Sequence, residues 1–253
     1  MKKMVLFTMA YIALICTSCN TEQKDPALVL YDEVANPETV NFLTEKQKKQ
    51  GWVLLFDGKT GAGWHGYNQR GIPDFWAIED GTLTMNSTGG GEEQDIITDK
   101  VYKNYAFSVE YKLTPGANSG IIYQVKEDPK YKYPYETGAE YQIADHNPRN
   151  GRTINPIQSH GANYGMYAPV EPIYSPIGEW NRMLLLVKDN EVTHVLNGVI
   201  IVKYTKYSDD WQALRDSGKW SDYPDYGKFD EGHISLQNHG TKVWFRDIKI
   251  KEL

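Results

Sequence analysis

The sequence predicts an all-β protein, two antiparallel sheets packed as a jelly-roll sandwich with one or two short peripheral helices. Three observations predict it. Short runs alternate apolar and polar residues with period two, as in the C-terminal "EGHISLQNHGTKVWFRDIKIKEL". Turn signals such as "DGK", "EDG", "TPGANSG", "KDN", "LNG" and "NHG" separate the runs. Aromatic residues make up 13% of the 253 positions, with 18 Tyr and 7 Trp, a composition that suits strands and also suits stacking on sugar rings. A hydrophobic fraction of 40% is enough for a sizeable core.

The chain opens on "MKKMVLFTMAYIALICTSC". Lys2 and Lys3, an apolar run from Met4 to Ile15 and the small residues Thr17 and Ser18 read as an export leader over residues 1–18. The run is too short for a comfortable membrane span. Cys19 then reads as the lipidated end of a bacterial lipoprotein, exported and anchored in the periplasm or at the outer membrane of a Gram-negative cell. Both cysteines precede residue 20, so no disulfide is expected in the mature chain. Residues 19–50 read as a polar tether plus one short helix, with Thr44 capping "EKQKKQ". A net charge of -6 without a long basic run argues against nucleic acid as a partner.

Residues 51–253 carry the β pattern and read as one domain. The predicted strands are 53–56, 76–79, 82–85, 95–98, 106–113, 120–124, 140–144, 183–188, 191–196, 199–203, 233–237 and 243–251. "VKDNEVTHVLNGVIIVKY" reads as a meander. Two stretches break the rhythm. Residues 145–180, rich in Pro, Gly and Asn, read as an ordered cover over one sheet. Residues 207–232 hold a short helix over 209–216. Trp76 and Trp180 read as core anchors.

Strand parity picks out the candidate site. His233, Ser235, Gln237 and His239 share one side of their strand, and Ile234 and Leu236 the other. Glu140 and Gln142 share a side of theirs, with His146 next if the strand continues. A carboxylate and carboxamides in mid-strand need partners or a ligand, because burying them unpaired costs several kcal/mol. A solvated outer face is the bland alternative, but such a face more often carries Lys and Thr. His194 reads as a surface or packing residue. For His65 and His160 a site role and an ordinary loop role stand level. The acidic run at 89–95 reads as hydrated loop. No metalloprotease spacing, nucleophile elbow or phosphate loop is present in the sequence.

The motifs "LFDGKTGAGWHGY", "FWAIEDGTLTM", "DIITDKVYKNYAFSVEYKLTPGANSGIIYQV", "TGAEYQIAD", "GEWNRMLLLVKDNEVTHVLNG" and "GHISLQNHGTKVWFRDIKIKEL" fall in an order that resembles the 3-keto-disaccharide hydrolase family. The resemblance covers about residues 50–253 and is loosest over 147–178. Asn238 and Asp247 depart from the family's usual Asp and Asn. It implies a concanavalin-A-like jelly roll, often exported as a lipoprotein, that cleaves glycosides already oxidised at C3. Such chemistry needs a base for the C2 proton, which the ketone acidifies, an acid for the C1 leaving group, and donors for the enolate oxygen. The residues offered for it are Glu140 or His146 as base and His239 as acid or enolate stabiliser. Gln142, Gln237 and His160 would hold substrate, and Trp64 and Tyr123 would pack on the ring. His and Glu side chains are also the types that hold a divalent cation able to polarise the ketone. A non-catalytic carbohydrate-binding module, a conventional β-glucanase with paired carboxylates and a partner in a polysaccharide-uptake complex are the competing readings.

Overall fold

The computed structural model describes residues 23–35, 38, 40–85, 94–145, 154–170 and 177–253. The leader, Cys19, His146 and most of the acidic run at 89–95 lie outside the described residues.

Thirteen described strands form two antiparallel sheets. The strands are β1 Trp52–Leu54, β2 Trp64–Gly66, β3 Trp76–Glu79, β4 Thr82–Met85, β5 Ile96–Thr98, β6 Tyr105–Leu113, β7 Asn118–Val125, β8 Ala139–Ala144, β9 Trp180–Lys188, β10 Glu191–Leu196, β11 Val199–Thr205, β12 His233–Leu236 and β13 Val243–Glu252. The larger sheet runs β11-β10-β9-β6-β13-β4-β3, with β1 also pairing β13. The smaller runs β2-β5-β12-β7-β8. The sandwich and the meander of β9, β10 and β11 agree with the sequence reading. Strand β2 was not expected: its three residues are too few to show a period.

Alternation places the core between the sheets. Phe107, Val109, Tyr111, Met183, Leu185, Val187 and Phe245 face inward from the larger sheet. Ile96, Ile121, Tyr123, Tyr141, Ile143, Ile234 and Leu236 face them from the smaller one. Each such fully buried side chain contributes about 1.5–3 kcal/mol. Trp76 anchors this core, but Trp180 does not. It is half-buried on the opposite face of the larger sheet, with the Arg246 guanidinium 3.8 Å over its ring.

Two helices precede the β pattern. α1 spans Pro26–Val34, with the Asp25 side chain accepting from the Ala27 N–H and Pro at the first turn. Its Ala27, Leu30 and Val34 pack on Leu184, Leu186, Val195 and Trp52, so the chain is bound to the sheet from residue 25 onward rather than serving as a tether. α2 spans Glu45–Lys49 and carries the expected Thr44 cap, completed by the Gln47 side chain. The same outer face holds a buried ion network: Arg182 to Glu110 at 2.7 Å and to Asp247 at 2.9 Å, and Lys249 to Asp247 at 2.8 Å. Asn41 and Asp247 exchange side chain-to-backbone bonds in both directions across 206 residues. Asp247 thus sits in a structural clasp.

Candidate active site on the smaller sheet

The second face of the smaller sheet looks away from the core, and its register brings separate motifs together. Gly120 pairs with Gln142, and Ile122 with Glu140. Ser235 pairs with both Ile122 and Ile97, and the Gln237 N–H bonds the Gly120 carbonyl at 2.9 Å. Cross-strand partners share a face. Glu140, Gln142, Ser235 and Gln237 therefore lie on one surface, as parity predicted.

Gly120 is what opens this surface. A Cβ at position 120 would lie 2.7 Å from Glu140 Oε1, so the carboxylate occupies the space a side chain would fill. Glu140 is only 5% exposed, and its carboxylate has no hydrogen-bond partner among the described residues. Burial pushes its pKa up from 4.5 to about 8; Lys219 opposes the shift and Asp95 adds to it. The side-chain oxygens of Gln142, Gln237 and Ser235 are also buried, again without partners among the described residues. Buried acceptors in this state suit a ligand rich in hydroxyl donors.

One wall comes from the cover loop. Gly161 N–H bonds the Gln142 carbonyl at 2.8 Å, and Tyr164 N–H bonds the Glu140 carbonyl at 3.0 Å. The second wall comes from helix α3, Asp209–Ser217, which Ser208 caps at Trp211 N–H and Gly218 ends. A single 3-10 turn, Lys219–Asp222, follows. Trp220 in that turn is fully buried, stacks on Tyr226 at 4.1 Å and bonds the Tyr164 carbonyl at 2.9 Å through Nε1. This holds the Lys219 ammonium 4.5, 4.8 and 5.0 Å from the rings of Trp220, Tyr164 and Tyr135. Desolvation lowers the Lys219 pKa, and Glu140 partly restores it.

Other expected residues fall elsewhere. Trp64 and Tyr123 do not line this surface; both point into the core, where Trp64 is 4% and Tyr123 0% exposed. The Tyr123 hydroxyl bonds Tyr204 at 2.8 Å and His194 at 3.2 Å. Their parity, opposite to that of Glu140, explains the correction. His160 is likewise between the sheets, bonding Tyr111 at 2.7 Å and the Ala144 carbonyl at 3.0 Å, so it braces the loop rather than meeting substrate. His194 is a packing residue, with its pKa lowered to about 4 by burial. His239 is exposed in the turn after β12, two residues beyond Gln237. Asn238 shapes that turn: its side chain accepts from Gly240 N–H at 3.0 Å, and its own N–H bonds Asp95 at 2.7 Å.

A second polar cluster lies farther along the face. His65 bonds Asp99 at 2.6 Å and Glu127 at 3.3 Å, and the His233 ring is 6.1 Å from it. Four strand spacings, roughly 19 Å, separate the β2 and β8 positions of this row. Ile97 and Ile122 between them are buried under Tyr67, Tyr131 and Tyr135. Among the described residues no group of three or more His, Cys, Asp or Glu side chains is placed to hold a metal ion. Sequence reasoning missed Lys219, Asp95, Tyr164 and Gly120. Only Gly120, a glycine in mid-strand, carried a signal of close approach.

Residues 51–251 match the 3-keto-alpha-glucoside-1,2-lyase-like domain. The chain belongs to this family. It is 32% identical over 230 residues to a 3-keto-disaccharide hydrolase of Bacteroides thetaiotaomicron, covering 80% of this chain and 79% of that protein. A crystal structure of a candidate glycosyl hydrolase from Parabacteroides distasonis superposes with a TM-score of 0.77 at 41% identity, over 85% of this chain and 100% of that one. A second from the same organism gives a TM-score of 0.60 at 26% identity, over 80% and 99%. Membership in the 3-keto-alpha-glucoside-1,2-lyase-like family supports a glycoside-cleaving activity.

Proposed function

We propose that the chain cleaves glycosides oxidised to a ketone at C3, by C2 deprotonation and elimination of the C1 substituent. The observation that carries this reading is Glu140: a buried carboxyl without a partner among the described residues, lying over Gly120 beside the orphaned oxygens of Gln142 and Gln237. With a pKa raised to about 8, it is a stronger base than an ordinary carboxylate and titrates near working pH. The C2–H bond breaks, its proton passes to Glu140, and its electron pair becomes the enolate at the C3 oxygen. The enolate collapses, the C1–O bond breaks, and the leaving oxygen takes a proton, for which exposed His239 is the donor we assign. Water then adds at C1 and a proton returns to C2, completing a net hydrolysis. Gln142 and Gln237 accept from sugar hydroxyls.

Asp95 favours one alternative. It acts electrostatically on Glu140, so the two could serve as the carboxylate pair of an ordinary glycosidase. Incubation with 3-keto-glucosides, 3-keto-trehalose and the parent sugars, read by mass spectrometry, separates the two. Cleavage confined to the keto substrates is expected, and cleavage of the parent sugars alone would sink the reading. We also assign residues 1–18 to an export leader and Cys19 to lipid attachment. Lipid labelling retained in Cys19→Ala refutes that assignment.

A further inference from the structure

We propose that Lys219 is a catalytic residue whose ammonium holds the negative charge developing on the C3 oxygen of the substrate. This rests on the reading of 3-keto glycosides given above. The first observation is geometric. The ammonium lies over three aromatic rings at 4.5–5.0 Å, and has no hydrogen-bond acceptor or ion-pair partner among the described residues. An unpaired ammonium carries three N–H donors. The rings orient it through their electron-rich faces while leaving those donors for a ligand.

The second observation is electrostatic. The charged and titratable groups that act on Glu140 are Lys219, Asp95, Tyr164 and Tyr226, and of these only Lys219 is cationic. Proton transfer from C2 neutralises Glu140 as the enolate forms. The negative charge then leaves the carboxylate and reappears on the C3 oxygen. A cation already within electrostatic reach of Glu140 and partly stripped of water interacts more strongly with that charge than one in bulk water. The 3-10 turn gives it a rigid base, since buried Trp220 locks the adjacent residue.

The test compares wild type, Lys219→Met and Lys219→Arg on a 3-keto-glucoside across pH. Lys219→Met is expected to lose about 10²–10³-fold in kcat, with a smaller change in KM. Its acidic limb should move to higher pH, because Lys219 lowers the pKa of Glu140. Lys219→Arg, which keeps the charge, should recover most of the rate and restore the limb. Wild-type kcat in Lys219→Met overturns the proposal. So does an arginine variant as slow as the methionine one with the limb unmoved, which marks a packing role. Hydrogen exchange at C2 of a 3-keto-1,5-anhydro sugar in deuterium oxide isolates enolate formation, because C1 carries no exocyclic leaving group. Exchange by wild type and equally by Lys219→Met overturns the role of Lys219 and leaves the substrate reading standing. Failure of wild type either to exchange or to cleave keto substrates overturns both.

Discussion

In the proposed reaction Glu140 concentrates the chemistry in one carboxyl. Its pKa in the fold, about 8, lies above the ordinary 4.5. Between these values the folded chain keeps a proton that the unfolded chain has lost, so the group lowers stability as pH rises. Glu140→Gln is expected to match wild-type stability near pH 4 and to exceed it at pH 8 and above, by as much as about 5 kcal/mol. Denaturant midpoints across pH check this, and a constant difference contradicts it. The same variant should lose turnover on a keto substrate by about 10²–10⁴-fold, and wild-type turnover should rise toward pH 8 as the base ionises. Gly120→Ala tests the same carboxyl from the partner strand. Its Cβ would lie 2.7 Å from Oε1 and 2.8 Å from Cγ of Glu140, so the whole carboxylate arm must shift and the expected result is a large fall in kcat.

The elements that flank the site differ in how they are built. β7 and β8 position Glu140 and Gln142 against Gly120 by register alone, and a slip of one residue in β8 would turn both side chains inward. The Lys219 turn depends instead on a single buried anchor. Trp220 bonds the Tyr164 carbonyl and stacks on Tyr226, so Trp220→Ala should cost about 3–5 kcal/mol and release both walls at once. A melting temperature near wild type would contradict this account. The period-two pattern made β6 to β13 legible because each has one core face. It could not show the 3-10 turn, which is four residues long and has no period of its own.

At the level of the whole molecule, the segment before residue 51 belongs to the fold. α1 covers Leu184, Leu186 and Val195, and Asn41 clasps Asp247 beside the buried Arg182 and Lys249. A chain starting at Trp52 should lose on the order of 5 kcal/mol from the uncovered apolar surface alone. Comparison of denaturant midpoints for chains 23–253 and 52–253 checks this, and equal midpoints refute it. The candidate site is on the smaller sheet, whereas α1 packs on the larger one, so the longer chain is the one to use for activity.

Alternation along each strand, a property of the local backbone, was enough to decide the sandwich, its core faces and the shared side of Glu140, Gln142 and Gln237. Strand order, and therefore which carboxamide lies beside Gly120, depends on pairings between residues more than a hundred positions apart, as between Gly120 and Gln237. Packing across those pairings sent His160 inward and brought Lys219 to the carboxylate from a turn with no periodic signal. Local pattern records which face a side chain takes; only the closed tertiary structure determines what stands opposite it.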